Sequence, residues 1–305
     1  MVNRTISHSG VELNNGSENP VKELPKVGFG TYRTGGYECF NAVQEALDAG
    51  YRHIDTAMAY ENEAVVGRAI DVSPVDREDL FLTTKVKGYP EFLTHDRLIE
   101  AVEGSLRRLD TEYLDLVLLH WWNSEADMGE SFDALAHLVD SGKVDSVGVS
   151  NFSLPRLRRA VDVSDVPIAT TQMQYHPYFQ QEELLNFCRN HDVVLTAYSP
   201  LAEGRVVDDE VLVEIGQRYG KSAAQVALRW LIQQEGVVTI PKAVTTSHIH
   251  ENLEVFDFRL TDSEMERIHE LEGPLWYRLN SDRGPITRFR SFVGPHVPKA
   301  VRNIV

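Results

Sequence analysis

Short apolar runs of strand length alternate with helix-like segments along most of this 305-residue sequence. Eight such runs lie at residues 26–31, 51–57, 80–86, 114–120, 145–150, 170–174, 193–199 and 237–243. Between them, apolar residues recur at three-to-four spacing, with Gly50 and Gly142 where helices should end and Thr94 and Ser153 where they should begin. Such alternation requires a parallel sheet covered by helices. Eight repeats favour closure, so we predict an α/β fold of the (β/α)8 TIM-barrel type.

The two ends of the chain depart from this alternation. Residues 1–23 are polar around an NNGS turn and predict a small N-terminal hairpin that caps the closed end of the barrel. Two extra helices are expected at 245–256 and 262–273, followed by an irregular tail from 274 to 305 over the barrel mouth. The length fits one barrel domain spanning the whole chain.

A doubly wound dinucleotide-binding fold is the alternative for a parallel sheet. It would place G-x-G-x-x-G at the first strand. Gly28 and Gly30 provide the first two glycines, but Thr31, Tyr32 and Arg33 follow and the third glycine is missing. The sequence therefore favours the barrel.

Composition limits the partners that can be expected. The formal net charge of −16 is unsuited to nucleic acid or anionic membranes, which need a basic face. The sequence has neither an apolar run of membrane-spanning length nor the apolar core of a signal peptide, so we expect a soluble, cytoplasmic protein. The two cysteines, Cys39 and Cys188, fit a reducing compartment as core thiols and predict no metal site. We expect a monomer or weak oligomer.

The acidic character has a second interpretation. Only 8 of the 30 basic residues are lysines, and the acidic residues are scattered along the chain. An acid-rich surface with few lysines suggests a protein adapted to high salt. An ordinary acidic cytosolic enzyme remains the alternative.

Chemically active side chains stand where four of the apolar runs end. They are Asp55 and Tyr60, then Lys85, then His120, and finally Ser150 with Asn151. If the four strands are neighbours in a barrel, their carboxyl ends converge on one cavity. Each residue alone has an ordinary structural explanation, such as a helix cap or a core histidine. Together they indicate a site, because lysine and aspartate are costly to bury unless they are paired.

This set of side chains suits the reduction of a carbonyl group. A tyrosine donates protons poorly at neutral pH, since its ordinary pKa is about 10. A lysine ammonium beside Tyr60 should lower that pKa, and Asp55 should keep Lys85 charged. The imidazole of His120 can orient a carbonyl oxygen toward Tyr60. Positioned proton transfer of this kind contributes about 10²- to 10⁴-fold to the rate.

The motifs GFGTY, HIDTAMAYENEAVVG, TTKV, LLHWW, GVSNF, QMQYHPY, AYSPLAEG and IPKA followed by HENL occur in this order. With this order and spacing, the sequence resembles the aldo-keto reductase family from about Val27 to Leu271. The resemblance implies a reductase that converts aldehydes or ketones to alcohols with NADP(H) preferred and NAD(H) possible, with Tyr60 as the catalytic acid. It implies that the cofactor is bound by Ser150, Asn151, Gln172, Tyr198, Ser199, Leu201, Lys242, His248, Glu251 and Asn252.

The sequence departs from the family pattern on the substrate side and in the adenosine-phosphate motif. Tyr32 stands where the family usually has tryptophan, and Trp122 where it often has proline; together with Trp121 they are the expected substrate pocket. Ala243 and His248 replace the usual serine and arginine of the adenosine-phosphate motif. Further candidates are the aromatic residues Tyr89, Trp276, Phe289 and Phe292 for the pocket wall and Arg205 for the cofactor phosphates.

Three other functions are kept as alternatives. A metal-dependent barrel hydrolase would use His53, Asp55, Lys85 and His120. A Schiff-base aldolase would use the amine of Lys85. A cofactor-binding sensor subunit would keep the fold without strong turnover.

Overall fold

Residues 10, 11, 13 and 23–271 are described by the computed structural model of the chain. Two short strands come first, β1 (Gly10–Val11) and β2 (Leu24–Pro25), and they pair antiparallel. Eight parallel strands follow: β3 (Phe29–Gly30), β4 (His53–Asp55), β5 (Phe81–Val86), β6 (Leu114–Leu119), β7 (Val144–Ser150), β8 (Ile168–Gln174), β9 (Val194–Tyr198) and β10 (Val237–Thr239). Every predicted barrel strand is therefore present.

Hydrogen bonds between the first and last strands close the sheet. The strands are paired in sequence order from β3 to β10. Val27 forms a parallel bridge with Thr239, where the amide of Gly28 donates to Thr239 O at 2.8 Å and the amide of Thr239 donates to Lys26 O at 2.9 Å. The expected (β/α)8 barrel is confirmed, and all eight carboxyl ends open on the same mouth.

Helices follow the strands along the chain. They are α1 (Gly36–Ala49), α2 (Glu63–Asp71), α3 (His95–Leu109), α4 (Met128–Asp140), α5 (Leu154–Val163), α6 (Glu182–Asn190), α7 (Glu210–Tyr219), α8 (Ala223–Gln233), α9 (Thr246–Leu253) and α10 (Asp262–His269). The two extra helices after the eighth strand are confirmed as α9 and α10.

The helices begin and end where the sequence predicts, but only some of the predicted end residues cap the helix by a hydrogen bond. Gly50 ends α1 in the left-handed region, at φ 107°, which glycine adopts without strain. Thr94 and Ser153 precede α3 and α5 as expected, yet neither side chain makes a capping hydrogen bond. A side-chain cap is instead made by Asp209 at α7, among others. Residue type therefore located the helix ends without identifying the bonds.

Alternation along the strands separates two apolar layers. On β5, Leu82 and Val86 pack outward against the helices, whereas Phe81 joins a smaller cluster inside the barrel. Leu24 of β2 belongs to that inner cluster, so the two-stranded sheet covers the closed end. Lys85 lies four residues after Phe81, and side chains alternate with a period of two, so Lys85 also points into the barrel.

Parts of the predicted ends lie outside the described residues. Most of the predicted hairpin at 1–23 falls there, and the second strand that is seen begins at Leu24, just after it. The tail from 274 to 305, with Trp276, Phe289 and Phe292, also lies outside. Within the described part of the chain, no helix has both the length and the apolar character needed to cross a bilayer.

Candidate active site

A buried ion pair lies at the centre of the barrel mouth. The Nζ atom of Lys85 donates to Oδ1 of Asp55 at 2.5 Å and to the carbonyl oxygen of Thr56 at 2.8 Å. The other carboxylate oxygen, Oδ2, accepts from Nε2 of Gln172 at 2.7 Å. Both charged side chains are buried, with at most 2% of their surface exposed. The predicted ion pair between Asp55 of β4 and Lys85 of β5 is therefore formed, and both oxygens of the carboxylate are hydrogen-bonded.

Tyr60 stands directly beside this pair. It ends a single 3-10 turn, Met58–Tyr60, that follows β4, and its hydroxyl lies 3.5 Å from Nζ of Lys85. Its ring centroid is 5.6 Å from that of His120 and 5.1 Å from that of Tyr32. The structure thus brings together all four side chains expected at the ends of β4, β5 and β6.

The pKa of Tyr60 shifts in the direction opposite to the prediction. The sequence predicted that Lys85 would lower the pKa of Tyr60, but that pKa is raised well above its usual value, chiefly by burial and then by the charge of Asp55. Nζ of Lys85 lies closer to Oδ1 of Asp55, at 2.5 Å, than to the Tyr60 hydroxyl, at 3.5 Å. The phenol is therefore protonated at neutral pH and has a proton to donate.

His120 is held in its neutral form. Burial and the charge of Lys85 both keep the pKa of His120 well below its usual value. Within the described part of the chain, its Nδ1 atom is buried without a hydrogen-bond partner. The ring of Trp121 lies 4.4 Å away, centroid to centroid. A neutral imidazole next to the Tyr60 phenol can hydrogen-bond a carbonyl oxygen without competing for the proton.

The polar residues at the next strand ends form one hydrogen-bonded chain. The Asn151 side chain donates to His120 O at 2.9 Å and to Ser150 Oγ at 3.0 Å, and it accepts from the Tyr198 hydroxyl at 2.8 Å. Ser150 Oγ donates to the carbonyl oxygen of Gln172 at 2.9 Å. Asn151 has a φ of 60°, a left-handed conformation that asparagine tolerates. Four expected cofactor residues are therefore neighbours beside the tetrad.

This donor and acceptor set is compatible with a nicotinamide ring. A carboxamide group needs both hydrogen-bond donors and acceptors, and the side chains of Ser150, Asn151 and Gln172 supply both. The half-buried aromatic ring of Tyr198 stands at the end of the next strand, β9. The residues present are thus of the right chemical types to hold the cofactor ring beside Tyr60.

The remaining expected cofactor residues lie farther along the chain. Ser199 and Leu201 precede a 3-10 segment, Ala202–Asp208, which includes the exposed Arg205. Lys242 lies between β10 and α9 and is exposed, whereas its neighbour Ala243 is buried. On α9, His248 and Glu251 are exposed and Asn252 is buried. These residues belong to the last two strand ends of the barrel and the helix after them.

The expected pocket residues fall into two groups. Tyr32 is 48% exposed and lies beside Tyr60. Trp121 lies beside His120 and forms an edge contact with Tyr89, whose ring centroid is 6.0 Å away. Trp122 turns toward the helices, where it packs on Phe152. Tyr32 and Trp121 therefore flank the tetrad, and Trp122 contributes to the core.

Two buried polar residues after Tyr60 were not singled out from the sequence. Asn62 donates to the carbonyl oxygens of Thr31 and Thr34 at 2.9 and 3.0 Å, which holds the loop that carries Tyr32. Glu63 accepts from Thr84 at 2.6 Å, on the outer side of the strand that carries Lys85. A charged residue that begins a helix looks like an ordinary first-turn acid, so its burial gave no signal in the sequence.

Taken together, a (β/α)8 barrel whose mouth holds a protonated phenol beside a neutral imidazole and a buried ion pair has the chemical groups suited to work on a carbonyl oxygen. The Aldo/keto reductase family model matches residues 26–272. The chain belongs to the aldo/keto reductase family.

Several relatives share most of the chain. The glyoxal reductase of Bacillus subtilis is 39% identical, over 86% of this chain and 92% of that protein. The methylglyoxal reductase DkgA of Escherichia coli K12 is 38% identical, over 82% of this chain and 90% of that protein. A solved aldo/keto reductase from Brucella melitensis is similar with a TM-score of 0.81 at 39% identity, covering 87% of this chain and 100% of that one.

The family and these relatives establish the type of reaction. The chain is an NAD(P)H-dependent oxidoreductase that reduces carbonyl groups on small molecules. They give no support to the hydrolase, aldolase and sensor alternatives.

Proposed function

We propose that Tyr60 is the general acid of this carbonyl reduction, with Lys85 and Asp55 as its tuning partners and His120 as the residue that orients the carbonyl oxygen. The carrying observation is the buried Lys85–Asp55 pair with the Tyr60 hydroxyl 3.5 Å from Nζ. Burying two charges is costly even when they are paired, so their presence at this point suggests a role in the chemistry of a neighbour. The neighbour here is a phenol that must become an anion.

The proposed roles follow from the charges at each stage. When bound, the nicotinamide cofactor would supply a hydride to the carbonyl carbon. Tyr60 gives its hydroxyl proton to the carbonyl oxygen while the imidazole of His120 donates a hydrogen bond to that oxygen. The resulting phenolate lies beside the ammonium of Lys85, which stabilises it, and Asp55 keeps Lys85 charged. Lys85 thus acts after the proton has left, which agrees with a raised pKa of Tyr60 beforehand.

We further propose how the cofactor is held. Ser150, Asn151 and Gln172 bind the nicotinamide carboxamide, and Tyr198 stacks on the ring. The rest of the nucleotide is contacted by three pairs of residues: Ser199 and Leu201 at the pyrophosphate, Lys242 and His248 at the 2′-phosphate, and Glu251 and Asn252 at the adenine. One permanent cation at the 2′-phosphate supports a modest preference for NADPH over NADH, with NAD(H) still usable.

The proposed substrates are small aldehydes and ketones, including 2-oxoaldehydes. Two relatives are named for the reduction of glyoxal and methylglyoxal, which are compounds of this class. Tyr32 and Trp121 flank the tetrad and suit a flat carbonyl group between two aromatic rings. We expect Trp122 to influence the pocket only through packing.

The cellular setting is proposed from the sequence. The net charge of −16 supports a protein without nucleic-acid partners, and only two cysteines support a cytoplasmic location. We propose one barrel domain, and a monomer or weak oligomer.

Replacing Tyr60 tests the central assignment. Tyr60→Phe keeps the ring and removes the proton donor, so kcat with methylglyoxal and NADPH should fall by about 10²-fold or more. The Kd of NADPH, followed by fluorescence quenching, should change little. The matched control is Tyr37→Phe, at a site that is 79% exposed and where the ring contact with Phe40 is kept. If Tyr60→Phe turns over as fast as this control, the assignment is wrong.

A further inference from the structure

A hydrogen bond crosses the interior of the barrel between opposite walls. Gln172 lies on β8 and Asp55 on β4, and three strands separate them in either direction around the closed sheet. Nε2 of Gln172 donates to Oδ2 of Asp55 at 2.7 Å, and both side chains are buried. This bond is the direct link between the proposed cofactor residues and the Asp55–Lys85 pair.

We propose that Gln172, beyond its proposed contact with the cofactor, is a positioning residue that fixes the Asp55 carboxylate for the reaction. The inference rests on the proposed function, because it concerns the pair beside Tyr60. With Oδ1 bonded to Lys85 and Oδ2 to Gln172, the carboxylate cannot rotate without losing a bond. Its rotation would move Lys85 away from the Tyr60 phenol.

The chemistry of the two groups decides which end of the amide faces Asp55. An ionised carboxylate only accepts hydrogen bonds, so the NH2 end of Gln172 must point toward it. The Oε1 atom is then left as the acceptor for a carboxamide N–H of the cofactor. Glutamine stabilises the anion without adding a third charge to the pair. A lysine at this position would compete with Lys85 for Asp55.

The backbone at Gln172 is itself held by the neighbouring strand. Its carbonyl oxygen accepts from Ser150 Oγ at 2.9 Å and from the amide of Asn151 at 3.0 Å. The side chain therefore extends from an anchored point on β8. Two further residues of the proposed cofactor site thus fix the origin of the bond to Asp55.

Loss of this donor should make Asp55 easier to protonate. Burial already raises the pKa of Asp55, whereas Lys85 and the Gln172 hydrogen bond oppose that shift. Other titratable groups act on the pair: Tyr60 interacts with Asp55, and His53, His120 and Glu63 interact with Lys85. These groups are unchanged in a Gln172 variant, so a shift of the acid limb reports on the lost bond.

Two substitutions at Gln172 should shift the pH profile in opposite ways. Gln172→Met fills similar space without a donor, so the acid limb of the kcat profile should move to higher pH by about one unit or more. Gln172→Glu can donate only while its carboxyl is protonated. It should therefore retain activity in acid solution and lose it toward neutral pH, where two carboxylates would face each other.

A second readout uses the protein without cofactor. The infrared carboxyl band of protonated Asp55, identified by its loss in Asp55→Asn, should appear at higher pH in Gln172→Met than in the unmodified protein. The matched control is Gln234→Met, which removes the amide that accepts from the Tyr175 hydroxyl and donates to Trp230 O at the end of α8. Its kcat profile and carboxyl band should keep the unmodified pH dependence.

The outcomes separate the two proposals. If Gln172→Met weakens only cofactor binding, and both the acid limb and the carboxyl band stay at their unmodified positions, Gln172 does not position Asp55. Activity of Gln172→Glu that rises toward neutral pH would also overturn the inference. Failure of the proposed function appears elsewhere, as an active Tyr60→Phe variant.

Discussion

The two ends of the proposed cofactor site are built differently. At the barrel mouth, Asp55, Lys85, Gln172 and Asn151 are bonded to one another or to neighbouring strands, and the ion pair is buried. At the nucleotide end, Lys242, His248 and Glu251 are exposed on a loop and on α9. The chemical end is held by mutual bonds inside the barrel, whereas the nucleotide end presents single side chains to solvent.

Substitutions at the two ends should therefore differ in what they cost the protein. A buried charge that loses its partner costs several kcal/mol, because solvent does not replace the lost bond. An exposed charge is screened by solvent and salt, and its removal costs little stability. We therefore expect substitutions at the mouth to affect folding and chemistry together, and substitutions at the nucleotide end to affect cofactor choice alone.

The same substitution at two lysines tests this contrast, and Lys85 should give the larger effect. Lys85→Met leaves the Asp55 carboxylate buried without its ion-pair partner, which should lower the free energy of unfolding by about 3 to 5 kcal/mol. It also removes the cation beside the Tyr60 phenolate, so kcat should fall by about 10²-fold or more. Urea unfolding and steady-state kinetics measure the two effects.

A double variant separates the two effects of Lys85. In Lys85→Met/Asp55→Asn no unpaired charge is left at the mouth, so much of the stability should return. The activity should not return, because the phenolate still lacks its cation. A double variant that is active would show that Lys85 matters only for folding.

Lys242→Met should leave folding unchanged and alter cofactor choice. One charge-assisted hydrogen bond contributes about 1.5 to 3 kcal/mol, so the ratio of kcat/KM for NADPH to that for NADH should fall by about 10- to 100-fold. The midpoint of urea unfolding should stay near that of the unmodified protein. Lys143→Met, which removes a lysine paired with Glu103, is the control and should keep the ratio. A preference for NADH in the unmodified enzyme would contradict the assignment of Lys242.

The sequence could predict where residues lie in the barrel but not which hydrogen bonds they form. The eight strands and the convergence of Asp55, Tyr60, Lys85 and His120 follow from periodicity and from the rule that barrel strands end at one mouth. The bond from Gln172 to Asp55 does not follow, because it joins opposite strands 117 residues apart in sequence. A pattern along the chain gives the strand end at which a residue lies, but not which neighbour it bonds.

Electrostatics were harder to predict than position. The sequence correctly placed Lys85 beside Tyr60, yet the predicted direction of the shift in the pKa of Tyr60 was wrong, because burial and then the charge of Asp55 raise it. The buried Glu63 was missed for the same reason, since a glutamate at a helix start is normally solvated. Both depend on how much water the folded chain excludes, which no local pattern records.

The buried His53 and the exposed His248 should differ in their effect on how stability depends on pH. Burial and the charge of Lys85 lower the pKa of His53 to about 3. As the pH falls, the imidazole of His53 is therefore protonated in the unfolded chain before it is protonated in the folded protein. Stability should be lost as the pH falls from about 6.5 toward 3, and His53 should account for about 2 kcal/mol between pH 7 and 5. His53→Gln should reduce this loss of stability, followed by urea unfolding at several pH values. The exposed His248→Gln should leave it unchanged, and equal slopes in both variants would contradict the role of His53.

Salt should act on the exposed surface and leave the buried pair unaffected. At a net charge of −16, acidic side chains repel one another, and about 1 M salt reduces the Debye length to about 3 Å. We expect the melting temperature to rise from low salt into the molar range of potassium chloride, as in a protein adapted to high salt. The NADPH preference should narrow over the same range, because Lys242 is exposed. A flat or falling melting temperature would instead favour an ordinary acidic enzyme.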